Sequence, residues 1–251
     1  MCSRRHLSQQ QAVTLAKDVI PVPRNRLLAA LPPAELGRLM PQLERIEIPA
    51  HHTLVAADSP IPAVHFPEEG AFHLLATLQA GDSAEAGVIG REGMVGLPLL
   101  LGVDSYPFEA TTQAGGIVLR LDAAAFQEEL ERPSALRPLL MRYAMACFVQ
   151  AAQTAACNVR HHLEHRLARW LLTADDRADG DPFSMTHEGL AMMLGVRRAG
   201  ISVAAGRMQN AGLIRYGAGR MQVIDRSGLE AACCECYGVV DRAFQRLLTL
   251  H

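Results

Sequence analysis

Long apolar runs are missing from this chain. The longest candidate, around Gly93–Gly102, is far shorter than the roughly 20 residues that span a bilayer, and glycine and proline interrupt it. A membrane span is therefore not expected. Met1–Gln11 carries Arg4 and Arg5 with no apolar stretch behind them, unlike a secretory signal, so the cytoplasm is the expected compartment. Aromatic residues are scarce, at 5%, with a single tryptophan. The six cysteines (Cys2, Cys147, Cys157, Cys233, Cys234 and Cys236) do not form the dense pattern of a disulfide scaffold, and 251 residues can build a core without one. Reduced thiols are the default. Catalytic patterns are absent too. There is no nucleophile elbow, no glycine-rich phosphate loop ending in lysine, and no pair of carboxylates placed for acid–base work, so an enzyme is not expected.

Lysine is nearly absent as well, since Lys17 is the only one. Biased codon usage accounts for most of this, but it leaves guanidiniums as the cations, and these suit bidentate contacts to phosphate or guanine. Their placement is uneven. Between Thr186 and Arg226, Arg197, Arg198, Arg207, Arg215, Arg220 and Arg226 are opposed only by Glu188 and Asp225. That segment carries four surplus positive charges on a chain of net charge −2, leaving about −6 elsewhere. A basic segment on an acidic protein points to a module for a polyanion.

What is present divides the chain in three. Residues 1–22 read as a loose polar arm. Leucines at helical spacing around Pro32–Pro33 predict two short helices. From Glu44 to about Leu121, short apolar stretches alternate with turn signals. The stretches are Arg45–Ile48, Thr53–Val55, Val64–Phe66, Phe72–Ala76, Ala86–Ile89, Phe108–Thr112 and Ile117–Leu121, and one of the separators is Pro67–Gly70. That is the pattern of an antiparallel sandwich or barrel. Asp122 is placed to cap a helix ending near Glu131. A long helix then runs from about Ser134 to Val159, apolar on too many sides to stand alone, which suggests packing against the β domain and a second copy of the chain. Another helix covers about His161 to Arg177.

The segment from Thr186 carries the sharpest signal. Thr186 can cap a helix holding Leu190, Ala191 and Leu194. Gly195 then makes a tight turn, and a second helix runs from about Arg198 to Asn210 with Ile201, Ala205 and Met208 inward. Small Ala191, turn-forming Gly195 and apolar Ile201 have the spacing of a helix-turn-helix. Leu213–Asp225 reads as a hairpin turning at Gly217-Ala218-Gly219, a wing. The reading predicts that Arg197, Arg198 and Ser202 reach base edges, and that Thr186, Arg207, Arg215 and Arg220 contact phosphates of double-stranded DNA. It fails if Arg197 and Arg198 are buried or face the protein's own acids.

In this order of parts the chain resembles the Crp/Fnr family of transcription regulators over roughly residues 24–230. In the sensor, Ile89–Gly102 and Phe108–Thr112 look like the family's effector-domain motif. The resemblance implies an α+β protein. Its parts are an N-terminal antiparallel β-roll sensor (a double-stranded β-helix like that of cyclic-nucleotide-binding domains, 23–132), a long dimerisation helix (133–159), a winged helix-turn-helix (160–230) and a C-terminal helix (231–251). It also implies a homodimer on DNA, contact with RNA polymerase, and a small-molecule effector of unknown identity near Gly93, Gly96, Leu97, Pro107 and Phe108. Where the family's cyclic-nucleotide binders place a glutamate for the ribose, this chain has Leu97. Their phosphate-binding arginine has no counterpart in Asp104–Glu109. A buried phosphate without a cation is costly, so cyclic AMP is not expected to bind in the usual way. Of the family's recognition-helix pattern only Arg198 remains, with Ala199 and Val203 at the other two positions, so a different target sequence is expected.

Two minor patterns complete the reading. Cys233 and Cys236, with Cys234 between, make one Cys-x-x-Cys without a second pair nearby, read as structural thiols of unassigned role. His161 and His165 share a helix face, read as exposed and polar. No resident metal or cofactor is expected. The alternatives left open are a cyclic-nucleotide receptor with an atypical pocket and a thiol- or metal-based redox sensor.

Overall fold

The structure, a computed structural model, describes residues 13–14 and 22–248. Asn25 opens its first helix. The side-chain oxygen of this fully buried residue accepts the Leu27 and Leu28 N–H groups, and its amide donates to the Pro67 and Gly93 carbonyls. One residue thus caps α1 (Arg26–Ala29) and ties it to the sensor. Helix α2 (Pro33–Leu39) begins with proline, whose missing N–H is no loss in a first turn.

The sensor is a pair of four-stranded antiparallel sheets. One has the order β1-β2-β8-β4, from β1 (Val13–Thr14), β2 (Glu44–Ile48), β4 (Ala63–Gly70) and β8 (Gly116–Asp122). The other has the order β3-β7-β5-β6, from β3 (His52–Val55), β5 (Phe72–Thr77), β6 (Ser83–Ile89) and β7 (Glu109–Thr112). Alternating apolar residues of both sheets, among them Ile46, Phe66, Phe72, Val118 and Leu121, meet in one core. All seven strands expected between Glu44 and Leu121 form. Three details differ from expectation. Pro67–Gly70 is not a turn, because β4 runs through it with a bulge between Pro67 and Glu69 that absorbs the proline's missing donor. Val13–Thr14 in the predicted loose arm pairs with Glu47 and Ile46, whereas residues 1–12 and 15–21 of that arm lie outside the described residues. Asp122 precedes α3 (Ala123–Glu131) without a side-chain cap bond and instead pairs with Arg120 at 2.6 Å.

Helix α4 (Leu136–Arg160) carries Leu136, Leu139, Leu140, Tyr143 and Ala146 into the sensor core. Met141, Met145 and Phe148, one turn apart in succession, stay about half exposed or more. His161 turns the chain into α5 (Leu163–Asp175). The rest comprises β9 (Phe183–Ser184), α6 (His187–Leu194), α7 (Arg198–Asn210), β10 (Ile214–Gly217), β11 (Arg220–Val223), α8 (Arg226–Ala231) and α9 (Cys236–Leu248). These elements build a second core around Leu167, Trp170, Leu171, Leu190, Ile201 and Met221. Helix α9 folds back along α4, where Phe244 meets Tyr143 at 6.2 Å between ring centroids. Trp170 seals the domain junction, stacked on His73 of β5 with its indole N–H 3.4 Å from Glu85. Arg177–Glu92 and Arg91–Asp179 ion pairs flank it. No helix among the described residues is long and apolar enough to cross a membrane.

Candidate nucleic-acid interface

The turn between α6 and α7 follows from a few residues. Thr186 accepts the Gly189 N–H at 3.0 Å and starts α6. Gly195 ends it at φ 61°, a left-handed conformation that glycine adopts without Cβ strain, and the Gly195 and Val196 N–H groups close on the Met192 and Ala191 carbonyls. Ile201, Ala204, Ala205 and Met208 bury the inner face of α7. The bounds Arg198–Asn210 and the inward residues match the sequence expectation.

The opposite face of α7, formed by Arg197, Arg198, Ala199, Ser202, Val203 and Gly206, is exposed. Behind it the wing is a four-pair antiparallel hairpin closed by Ala218 and Gly219, both at positive φ, as a tight two-residue turn requires. A third strand not foreseen from sequence, β9, pairs with β11 through Arg220↔Ser184 and Met221↔Phe183. Two residues are too short for a period-2 signal, so nothing local marked β9 as a strand.

The cations differ in how committed they are. Arg197 and Arg215 are exposed and make no ion pair or hydrogen bond among the described residues. Arg198 Nε lies 3.8 Å from Glu188 Oε2, but both side chains are more than two-thirds exposed, so water and salt weaken the pair. Arg220 donates to the Pro182 carbonyl at 3.0 Å and keeps its charge unpaired. Arg207 instead pairs with Glu164 at 2.7 Å. Arg226 is removed from the basic face altogether. It holds Asp175 and Asp176 at 2.7 Å and Glu230 at 3.1 Å, which leaves its guanidinium no free edge for a ligand. The sequence count of surplus positive charge was therefore too high. The Thr186 hydroxyl is committed to its cap, and the Ser202 hydroxyl lies 3.0 Å from His187 Nδ1.

His187 escaped the sequence reading. Its ring stacks on Tyr216 of the wing at 4.2 Å and 19° while bonding Ser202 of α7, so it fastens wing to helix. Burial first, and then the Arg198 charge, hold its pKa below the ordinary histidine value. A lone histidine at a helix start gives no local sign of such a role.

The positions expected near an effector line neither of two cavities at the domain junction. Gly93 lies under Tyr143, whose hydroxyl accepts the Met94 N–H at 3.1 Å and donates to the Met94 carbonyl at 3.2 Å. Gly96 turns at φ 105°, Leu97 packs on the core, Pro107 is exposed, and Phe108 sits edge-on to Tyr106. Two cavities of about 360 Å³ each lie elsewhere, at the domain junction. One is lined by Arg26, Glu85, Glu92, Arg169, Arg177 and Arg226 among others, and the other by His73, Gln113, Trp170, Phe183 and Arg220 among others.

The cysteines also group differently from their sequence spacing. Cys234 Sγ lies 3.6 Å from Cys157 Sγ, and Cys236 Sγ lies 3.5 Å from His161 Nδ1. The donor atoms of these four residues all fall within 4.8 Å of one another. Cys233, the first member of the Cys-x-x-Cys, points its thiol at the Cys234 carbonyl, and His165 is exposed. Burial pushes the Cys157 and Cys234 thiols up in pKa.

Residues 165–232 match the Crp-like helix-turn-helix domain, and residues 45–132 match the cyclic nucleotide-binding domain. The two matches together cover well over half of the chain. No curated protein matches the sequence. Among solved structures, FixK2 from Bradyrhizobium japonicum is similar with a TM-score of 0.66 at 16% identity, covering 76% of this chain and 98% of that one. A CRP/FNR-family transcriptional regulator from Thermus thermophilus gives 0.60 at 19% identity, over 78% and 98% of the chains. The c-di-GMP responsive regulator CLP of Xanthomonas campestris gives 0.57 at 16% identity, over 76% and 98%. At these identities the likeness is one of fold.

Proposed function

Because this chain belongs to the Crp/Fnr family of transcription regulators, we propose that it binds a two-fold-related duplex site as a homodimer, with one α7 in the major groove at each half-site. Regulators of this family bind DNA and act as dimers. The observation that carries the proposal is the outward face of α7. Arg197 and Arg198 lead the helix into solvent, Arg197 with no internal partner, in the place where recognition helices present side chains to base edges. Arg198 is assigned a guanine edge, Arg197 a base edge or the adjoining phosphate, and Arg215 and Arg220 of the wing the phosphates. Ser202 acts through His187 as a positioning residue, and Thr186 as a cap. Arg207 reaches a phosphate only by leaving Glu164.

The dimer contact is assigned to the Met141–Met145–Phe148 stripe of α4, which in a single chain leaves large apolar groups in water. The output is contact with, or exclusion of, RNA polymerase at a promoter. The sensor takes a small-molecule effector other than a cyclic nucleotide held in the usual way. Leu97 brings no carboxylate, residues 104–109 bring no arginine, and Tyr143 closes on Gly93. No catalytic step is proposed.

Selection from random duplex DNA at a stated salt concentration tests this. The expected result is an enriched palindrome with half-sites about one helical turn, roughly 10 base pairs, apart. Absence of any enriched sequence would overturn the assignment.

A further inference from the structure

Three buried thiols and an imidazole converge where α4 ends, brought together from opposite ends of the DNA-binding domain. Cys157 and His161 are one turn apart, the last turn of α4, with the His161 N–H bonded to the Cys157 carbonyl. Cys234 sits on the link between α8 and α9 and Cys236 opens α9, some 77 residues or more further along the chain. We infer that Cys157, His161, Cys234 and Cys236 form a tetrahedral binding site for one thiophilic divalent ion, zinc fitting best.

The spacing is the first argument. Zinc takes sulfur at about 2.3 Å and imidazole nitrogen at about 2.0–2.1 Å, so the edges of a Cys₃His tetrahedron are about 3.6–3.8 Å. The two contacts at 3.6 and 3.5 Å lie at that edge length, and every remaining pair is within 4.8 Å. The Cys157–Cys234 separation is far from the ~2.05 Å of a disulfide. The four donors also crowd one point, too closely to hold the corners of an iron–sulfur cluster. Three sulfurs and one nitrogen exclude magnesium and calcium, which demand oxygen.

The surroundings are those of a metal site as well. His161 turns Nδ1 to the thiols, while its Nε2 lies 3.5 Å from Glu235 Oε2. That is the carboxylate–histidine relay that orients a ligating ring. Gln153 donates to Cys236 Sγ at 3.0 Å, an arrangement that steadies a coordinated sulfur. Binding releases three thiol protons to solvent and forms three metal–sulfur bonds and one metal–nitrogen bond, leaving one net negative charge. Arg169 lies close enough to Cys157 to act on that charge, and its buried Nε has no hydrogen-bond partner. The cysteines gain little else from meeting, since a thiol is a weak donor and a weak acceptor. An ion here would pin the α4–α5 corner to the α8–α9 link and so fix where the DNA-binding domain hangs from the dimerisation helix. That consequence rests on the regulator reading, but the site itself does not.

The test uses the full-length protein, without a polyhistidine tag, purified anaerobically under reducing conditions. Elemental analysis should find one zinc per chain. Zinc-stripped protein titrated with cobalt(II) alone should develop the intense visible bands of tetrahedral thiolate coordination at one equivalent. Cys234→Ser and His161→Ala should each lose the metal or weaken binding by about 100-fold or more, Glu235→Gln should weaken it by about 10–100-fold, and Cys233→Ser should leave it unchanged. Far-UV circular dichroism establishes that each variant is folded, and the wild-type cobalt titration stands even if one is not. Weak octahedral cobalt bands, metal retained without Cys234, or a Cys157–Cys234 disulfide in metal-free protein would each overturn the site.

Discussion

Gly93→Ala adds one methyl group where the structure has no room for it. A Cβ at Gly93 would fall 2.3 Å from the Tyr143 hydroxyl and 2.8 Å from two ring carbons, all inside van der Waals contact. Tyr143 cannot step aside without loss. It is 1% exposed, and its hydroxyl satisfies both polar groups of Met94, which is fully buried. Overpacking costs about 1–3 kcal/mol. Displacing the hydroxyl leaves a buried N–H unpaired, for about 1–3 kcal/mol more. The variant should therefore lose about 2–6 kcal/mol, read by urea denaturation followed with far-UV circular dichroism, and its melting temperature should drop by roughly 4–24 °C. Tyr143→Phe alone should cost about 1–3 kcal/mol through the stranded Met94 groups. The double variant should cost less than the two single changes added, because the nearest clashing atom is then gone. A Gly93→Ala protein within about 0.5 kcal/mol of wild type would refute the reasoning and reopen space at Gly93 for an effector.

Two other outcomes are expected. Arg198→Ala should reduce discrimination by about 1–3 kcal/mol at one base pair of each half-site, while Arg215→Ala, which removes a contact from both protomers, should weaken all sequences alike and lower the salt slope by about two; fluorescence anisotropy on matched and mismatched duplexes separates them, and an equal loss everywhere for Arg198→Ala would make it a phosphate contact. His65 is buried in β4, and burial, then Arg120 and His52, bring its pKa down to about 3. The unfolded chain takes up this proton near pH 6.5 and the folded chain refuses it, so stability falls as pH drops from about 6.5 to 3. His65→Leu should be shallower over that window by up to one proton's worth, about 1.4 kcal/mol per pH unit, and identical slopes would place His65 elsewhere in the acid transition.

The elements were legible where the signal is local. Thr186, Gly195 and the inward spacing of Ile201, Ala205 and Met208 encode the helix-turn-helix within a few turns of chain, and the seven sensor strands announce themselves by their separators. What topology decides was not legible. The His161 ring does lie 6.3 Å from that of His165, but its Nδ1 turns back toward Cys236, and Cys157, four residues behind it in the last turn of α4, falls within the same donor cluster. Cys-x₃-His at a predicted helix end, with Cys-x-Cys further on, was the signal available. The surroundings of the effector positions were not legible for the same reason. Gly93 carries a motif glycine, yet what it faces is set by Tyr143, some fifty residues away.

Charge shows most sharply what a sequence count leaves out, and it yields a last number. Counting residues gives six arginines between Thr186 and Arg226, twelve per dimer, and a slope of log affinity against log salt of about −11 if each releases a phosphate counterion. Folding cancels two of the six, since Arg226 lies among Asp175, Asp176 and Glu230, and Arg207 is paired with Glu164. Arg220 is not cancelled, because a bond to the Pro182 carbonyl leaves its charge in place, and the exposed Arg198–Glu188 contact at 3.8 Å is screened. With Arg198 assigned to a guanine edge, Arg197, Arg215 and Arg220 remain for phosphates, six per dimer, for a slope of about −5. Anisotropy titrations across a salt series on the selected palindrome measure it directly. A slope of about −9 or steeper would mean that DNA pulls Arg207 and Arg226 out of their ion pairs, and the charge assignment made from the uncomplexed fold would then be wrong.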